Sequence, residues 1–468
     1  MLTLRIPAYP HFDGPLSQSE ARELVANPIL VARHSFSPFL RRRTRKWKFR
    51  SVKGGTSIKS SHRLITYAGR RDSVIFRHYR DILSDHLEEV LRVRGLSDCV
   101  IAYRSIESPG GHSKSNVDFA IEAFGAIREA GDCTVFCLDI KSFFDNILHE
   151  NIEATWKLLL GVDRLPDHHF KVMKATTQYS FIEEKVALGI LGFFGEKKLP
   201  NGALVRGYLV PRRSLPTRLC SLSQFRRQIA KNVSVNRIGI PQGLPISDVL
   251  ANAVLLDFDL EMKEQCDVIG GLYRRYCDDL LFVVPGKSVN PDEWIKTVEA
   301  KLGLVGGKLK LGHEKSAVHS VACLPDGKQK LIPIATYKQL PTIDYLGLSY
   351  DGTSVYLRQS TLSRLKGRIV LRVRRQVLAR FRERPNATAK EIRSKLHLEG
   401  IMREFGRIEA LHRRAKPSSR GPQRSFRCYA VRASKACGFE VSQILKQISG
   451  LNRFIRSRAE REISKLRP

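Results

Sequence analysis

The chain has 468 residues, 42% of them hydrophobic, with 80 Lys and Arg against 46 Asp and Glu, a formal net charge of +34. That length suits several domains, roughly three, and so basic a balance calls for a polyanion, with nucleic acid ahead of a membrane surface. No apolar run reaches the ~18 residues of a spanning helix, Met1-Leu-Thr-Leu-Arg-Ile6 lacks the pattern of a secretory leader, and nine scattered cysteines predict reduced thiols in a cytoplasmic protein.

Residues 1–60 read as a basic arm. Its run Arg41-Arg-Arg-Thr-Arg-Lys-Trp-Lys-Phe-Arg50 holds seven cations in ten positions, with Trp47 and Phe49 interleaved. Cations release counterions from phosphates and aromatic faces stack on bases, so Arg41, Arg42, Arg43, Lys46 and Trp47 are candidate nucleic-acid contacts. A solvated arm is the competing reading. His62 to Tyr67 predicts a strand, Asp72 to Val93 an amphipathic helix, Val100 to Arg104 a strand, Pro109-Gly-Gly111 a turn, and Asn116 to Ala130 a helix.

Cys133-Thr-Val-Phe-Cys-Leu-Asp139 is a β-prone run ending on an acid, which is how α/β sites deliver a metal ligand; Asp139 could instead cap the helix after the strand. Residues 160–235 give weak patterns, and His168-His169 has no partner at metal spacing. Cys428 and Cys437 lack a second pair for a zinc site. Ile238-Gly-Ile-Pro-Gln-Gly-Leu-Pro-Ile-Ser247 is a Gly/Pro loop entering a helix, with Ser247 or Asp248 near its N-cap. There Gln242 offers donor and acceptor groups and Gly243 permits close backbone approach.

The strongest chemical signal is Leu272-Tyr-Arg-Arg-Tyr-Cys-Asp-Asp-Leu-Leu-Phe-Val-Val284. Two β-prone runs flank Asp278 and Asp279, predicting a hairpin whose tight turn presents both carboxylates. Adjacent like charges repel, so the pattern suits a bound cation, and Mg²⁺ takes carboxylate and phosphate oxygens together. A solvated Asp-Asp turn is the plainer alternative. Beyond it lie a helix from Pro291 to Leu302, a strand and turn over Leu309 to Lys315, and a strand over Thr342 to Tyr350. From Ser360 onward 29 Lys and Arg face 8 Asp and Glu in an amphipathic helical pattern, with a loop or linker at Pro417–Pro422.

In order, strand–Asp139, Pro-Gln-Gly loop, Tyr-Cys-Asp-Asp hairpin, Gly–Lys turn and Leu-Gly strand, the chain resembles the palm of reverse transcriptases over roughly Arg63 to Tyr350. Within that family it is similar to the defence-associated and abortive-infection ("unknown group") bacterial enzymes, with group II intron-like and retron-like enzymes as alternatives. The resemblance implies an α+β right-hand polymerase: basic arm 1–60, fingers 61–130, palm 131–355 with a fingers insertion at about 160–235, thumb 356–395, and a helical extension 396–468. It implies Asp139, Asp278 and Asp279, with the Ile140 carbonyl, as ligands of two Mg²⁺ ions (or Mn²⁺ in their place), and Lys315 as proton donor to pyrophosphate.

Phe144 falls at the steric gate, Gln242 and Gly243 under the templating pair, and Leu346-Gly347 at the primer grip. Arg63, Arg70 and Arg71 are candidate triphosphate ligands, and Arg104 and Tyr276 nucleic-acid contacts. The implied reaction is RNA-templated DNA synthesis from dNTPs, in antiphage defence, with a noncoding RNA and a partner protein or second copy as candidate associates. Untemplated or protein-primed synthesis, RNA-dependent RNA synthesis, and an RNA-binding scaffold with a silent site are the competing functions.

Overall fold

The computed structural model describes residues 4–52, 55–108, 111, 113–198, 202–286, 289–306, 308–405, 426–436 and 443–466; at 46–52, 55–59 and 61 the backbone alone is described. The expected turn at Pro109, the linker 417–422 and Cys437 lie outside the described residues, as do the side chains of Lys46 and Trp47. In chain order the described strands are β1 (Phe39–Val52), β2 (Gly55–Tyr67), β3 (Cys133–Asp139), β4 (Ser180–Glu183), β5 (Phe194–Lys198), β6 (Leu204–Tyr208), β7 (Ser234–Val235), β8 (Leu272–Tyr276), β9 (Asp279–Pro285), β10 (Ala317–Cys323), β11 (Gln329–Pro333), β12 (Ile343–Tyr345), β13 (Leu348–Tyr350) and β14 (Val355–Leu357). They form sheets ordered β2-β1-β4-β7, β11-β10-β3-β9-β8, β12-β13-β14 and β5-β6, antiparallel except for the β1–β4 pair. The molecule is therefore mixed α+β, with antiparallel sheets and many helices.

The five-stranded sheet positions the chemistry. A strand sends successive side chains to opposite faces, so one covered on both faces reads as an unbroken apolar run. In β9, Leu280, Phe282 and Val284 enter one core with Phe136 and Leu138 of β3. Leu281 and Val283 enter a second core with Cys133 and Val135. The first core is closed by helices Arg70–Val93, His149–Leu160, Ser247–Ala253, Leu256–Val268 and Pro291–Val305. The second is closed by Asn116–Glu129 and Gln359–Glu383, with the more C-terminal helices. Along Gln359–Glu383, Leu362, Leu365, Ile369, Val373 and Val377 recur every three or four residues and are buried, and the helix stops just before Arg384-Pro385, where proline could not continue it.

Several expectations change. The basic run 41–50 is no arm: it lies within β1, which pairs with β2 along its length, Leu40 opposite Tyr67 and Val52 opposite Gly55. Pairing supplies the backbone groups that face β2 with partners, which an isolated arm cannot do. The boundary expected at residue 60 thus falls inside β2. Val100–Arg104 is not a strand; after one bridge from Val100 to Arg275 the chain turns at Tyr103, whose φ is 59°. Residues 309–315 make a single bridge, Leu311 to Ile140, and then a turn. The strand expected over 342–350 is two short strands, β12 and β13, with Leu346 (φ 43°) and Gly347 (φ 95°) between them. The weakly patterned 160–235 stretch contains helices Asp167–Thr177 and Glu184–Ile190 and strands β4 to β7.

Beneath the β8–β9 hairpin lies a fully buried ion pair. Arg275 donates to both oxygens of Asp259, from Nε at 2.7 Å and Nη2 at 2.5 Å, and Nη2 also reaches the Asn252 carbonyl at 2.8 Å. Tyr273 donates to Asp259 at 2.7 Å, and the Asn252 side chain donates to the Ala102 carbonyl at 2.6 Å. Removing one member of such a pair strands a buried charge. Asp259→Ala should therefore lose about 3–5 kcal/mol of folding stability, read from the urea midpoint. A loss below about 1 kcal/mol would mean the guanidinium is satisfied without its carboxylate.

Candidate active site

The hairpin differs from expectation in one useful detail. The two residues between β8 and β9 are Cys277 and Asp278, while Asp279 already belongs to β9, opposite Tyr276 on one side and Asp139 on the other. Two-residue hairpin turns need positive φ in the loop, and Cys277 supplies it at 60°. Asp278 thus projects from the turn, and Asp139 and Asp279 sit in register at the ends of neighbouring strands. The Ile140 N–H donates to the Asp278 carbonyl at 2.8 Å, tying the turn to the end of β3.

The 309–316 segment docks alongside. Gly312 N–H donates to the Asp139 carbonyl at 2.7 Å, and Lys141 N–H to the Lys310 carbonyl at 2.9 Å. A Cβ on Gly312 would stand 3.0 Å from an Asp139 carboxylate oxygen, so glycine lets this turn approach. The approach delivers Lys315, whose Nζ donates to both oxygens of Asp139, at 2.9 and 2.6 Å.

Desolvation, chiefly, raises the Asp139 carboxyl, with Asp278 adding to it and Lys315 opposing. Asp279 lies at an open edge yet is hemmed in by protein. That desolvation first, then the charges of Asp278 and Asp139, push it up to about 7.

Asp278 and Lys315 open into a cleft of about 890 Å³. It is also lined by Phe144, Gln242 and Gly243, and by Arg43, Arg63 and Arg77. Phe144 is partly buried against the first core, while Phe143 beside it is buried. The Phe144 carbonyl accepts the Ile240 N–H at 2.8 Å, which locks the two loops together. Gly239 has φ 71°, and a Cβ there would meet the Phe144 carbonyl oxygen at 2.6 Å. Gly243 has φ 112°, and its Cβ would meet the Thr66 carbonyl oxygen at 2.6 Å. The Thr66 N–H donates to the Gln242 carbonyl at 2.8 Å, so the loop is clamped to β2. At the helix entry, Ile246 takes the N-cap position; Ser247 instead donates to the Pro241 carbonyl at 2.7 Å.

Other expected contacts lie elsewhere. Arg70 is buried, bonding to Asp13 and, at 2.5 Å, to the Tyr9 carbonyl. Arg71 faces Glu20 at 3.6 Å. Arg104 binds Glu88 and the carbonyls of Ser97 and Val100. Arg70 and Arg104 are committed to holding loops, Arg71 faces an acid on another helix, and none of the three is among the residues lining the cleft. Arg41 and Arg42 pair with Glu183 and Glu184, leaving Arg43 and Arg63 of that group in the cleft. Tyr276 packs against the first core with its ring 6.2 Å from that of Tyr103. Leu346 and Gly347 form the β12–β13 turn, and the Gly347 carbonyl accepts the Arg358 N–H at 3.1 Å. Arg77 and Tyr103 line the cleft without having been singled out by sequence, and Asp248, expected only near the helix N-cap, lines it too; a helical pattern read for its apolar face gives no signal for a cation on the other side.

Among the described residues no three His, Cys, Asp or Glu side chains are grouped to hold a metal ion as they stand, Lys315 being seated on Asp139. The donor chemistry nevertheless suits a hard cation: oxygen ligands only, two of the three acids being raised chiefly by desolvation with neighbouring aspartate charge adding to it. No described helix is long and apolar enough to cross a membrane.

No family model matches the chain, and no curated protein does. Among solved structures it is similar to telomerase from Candida tropicalis truncated from its C-terminal domain, at 12% identity over 73% of this chain and 60% of that one, TM-score 0.35. The untruncated telomerase of that organism matches at 12% identity over 65% of this chain and 46% of that one, TM-score 0.33. Telomerase from Candida albicans in complex with the TWJ fragment of telomeric RNA matches at 11% identity over 93% and 66%, TM-score 0.34. The chain thus spans less than two thirds of these proteins, and at such TM-scores the likeness carries no argument.

The raised Asp279 carboxyl has a stability consequence. An acid whose folded pKa exceeds its unfolded value near 4 holds its proton more tightly when folded. Its contribution is favourable at low pH and lost as pH rises from about 4 to about 7. In chelator, Asp279→Asn should melt higher than the parent at pH 8, with the gap closing toward pH 4. A gap independent of pH would exclude this titration.

Proposed function

We propose that the chain is an RNA-directed DNA polymerase, joining deoxynucleotides to a primer 3′-hydroxyl by nucleotidyl transfer. The observation that carries the reading is the cleft itself: an Asp278 turn backed by Asp139 and Asp279, continuous with several cations and the Phe144 and Gln242-Gly243 loops. In the reaction the 3′-oxygen bonds to the α-phosphorus, the bond to pyrophosphate breaks, and the hydroxyl proton passes to solvent water. Asp139, Asp278 and Asp279, with the Ile140 carbonyl, would hold two Mg²⁺ ions, which when bound acidify the attacking hydroxyl and neutralise the triphosphate. Lys315 leaves Asp139 and becomes available to protonate pyrophosphate. Phe144 sits under the incoming sugar and excludes a 2′-hydroxyl. Gln242 and Gly243 support the templating pair.

On this reading the five-stranded sheet with the Gly-loop helix is the palm, β1 and β2 belong to the fingers, and Gln359–Glu383 opens the thumb. Its basic outer side grips a duplex backbone without reading sequence. An RNA template follows from the charge and the order of motifs; a defence role follows from the resemblance of those motifs alone.

Purified protein with Mg²⁺ and labelled nucleotides tests this. Joint Asp278→Ala and Asp279→Ala substitution should lower dNTP incorporation by about 10³-fold or more, in the range for loss of transition-state charge stabilisation, with RNA binding retained. Equal loss of RNA binding and of cooperative melting would make the pair structural. Phe144→Ala should narrow the preference for dNTP over rNTP; unchanged discrimination would remove its gating role. RNase pretreatment separates templated from untemplated synthesis in the same assay.

A further inference from the structure

A second groove, of about 510 Å³, lies between the helix Glu184–Ile190 and the β5–β6 ribbon and shares no lining residue with the cleft. Its walls are Lys185, Val186, Gly189, Ile190, Phe194 and Arg206. The Phe193 N–H donates to the Leu188 carbonyl at 2.8 Å, and the Leu209 N–H to the Phe193 carbonyl at 2.9 Å. These bonds fix the ribbon against the helix, so the groove is preformed.

Its floor is apolar and open. Val186 and Ile190, one helical turn apart, are 44% and 37% exposed, and contiguous exposed apolar surface marks an interaction site. Gly189 lies between them in the last turn, where glycine weakens a helix. The nearest atom to a Cβ there is the Phe194 carbonyl oxygen, at 3.5 Å, so a larger side chain would fit and would fill the groove. The rim is basic. Residues 185–213 hold six Lys and Arg against one acid, Glu196. Glu196 stands opposite Arg206 across the β5–β6 ladder, yet among the described residues neither Lys185 nor Arg206 enters an ion pair.

These features choose among occupants. Single-stranded nucleic acid stacks its bases on aromatic faces. Here the aromatic rings already carry cations, Lys185 Nζ at 5.3 Å from the Phe194 centroid and the Arg212 guanidinium at 5.4 Å from that of Tyr208. A bilayer surface does not enter a concave groove. An amphipathic helix does, seating apolar residues at i, i+3 and i+4 on an aliphatic floor while acids on its flanks meet the basic rim. We propose that this groove docks an acidic amphipathic helix of a partner protein, with Val186 and Ile190 as the apolar floor and Lys185 and Arg206 as the charged rim. The inference is independent of the chemistry at the acids.

The probe is an end-blocked, fluorescein-labelled peptide of Leu and Glu, its leucines spaced to form one apolar stripe, titrated by anisotropy into full-length protein at physiological salt. A control peptide of the same composition has its leucines spread around the helix. The striped peptide should bind about 10-fold more tightly or better, the scale of burying one or two leucine side chains. Gly189→Leu, which fills the groove, and joint Val186→Ser and Ile190→Ser substitution should each bring it down to the control. Because these positions are exposed, neither protein should melt lower than the parent. Arg206→Glu should weaken the striped peptide and flatten its salt dependence. Equal binding of the two peptides overturns the proposal, since a protein this basic attracts any polyanion, and so does striped-peptide binding that survives Gly189→Leu. Binding of single-stranded RNA or of phosphatidylglycerol vesicles that falls equally in Gly189→Leu would assign the groove to that polyanion and overturn it as well.

Discussion

Three aspartates share one end of a sheet that is buried on both faces, and their mutual repulsion is the constraint around which the neighbouring structure is arranged. Two unit charges about 5 Å apart repel by roughly 3 kcal/mol at an effective dielectric near 20. The β3–β9 register places Asp139 opposite Asp279, and the turn adds Asp278. The protein answers with cations of its own. Lys315 chelates Asp139, and Arg358, bonded to Asp344 at 2.8 Å, pulls against the upward shift of Asp279. Asp139 and Asp279 both remain raised, chiefly by desolvation, with the charge of neighbouring aspartates adding to it. The three acids thus lie beside a cleft lined by Arg43, Arg63 and Arg77.

Holding such a turn in place falls to the network beneath it. Arg275 faces inward from β8, three residues before Asp278, and its guanidinium joins Asp259 on one helix to the carbonyl of Asn252 on another. Asn252 continues the connection to Ala102, adjacent to Tyr103 at the cleft. The β8–β9 hairpin, the helix after the Gly loop and the 100–104 turn are thus one hydrogen-bonded unit. An apolar core could have filled the same space with more stability; a fully satisfied polar network fixes relative position more sharply.

How much the sequence revealed depends on where each signal originates. The strand Cys133–Asp139, the helices beginning near Arg70 and Asn116, and the apolar side of Gln359–Glu383 were legible because their burial is imposed by local periodicity. The β8–β9 hairpin was legible because β-prone runs flank a turn, although the turn lies one residue earlier than the acids suggested. The fate of individual arginines was not legible. Arg70, Arg104 and Arg77 are alike in sequence. One is buried against Asp13, one against Glu88, and one is left without an acceptor at Nε, according to contacts far away in the chain. The basic run 41–50 misled for the same reason: its strand character comes from β2.

The described backbone stores its strain close to the acids. A non-glycine residue at positive φ is held there only when its surroundings over-determine it, and such positions gather at functional sites. Four occur among the described residues: Tyr103, Ser142, Cys277 and Leu346. Tyr103 and Ser142 line the cleft, and Cys277 forms the turn that carries Asp278. Leu346 forms the β12–β13 turn, on a strand pair whose Tyr345 feels the charge of Asp279. Burial raises the Cys277 thiol to about 12 and, chiefly by the same desolvation, raises Tyr103, which shares a hydrogen bond with it. Both therefore stay neutral beside Asp278. The turn is thus walled by uncharged, conformationally constrained neighbours, and the negative charge it presents is confined to the three carboxylates.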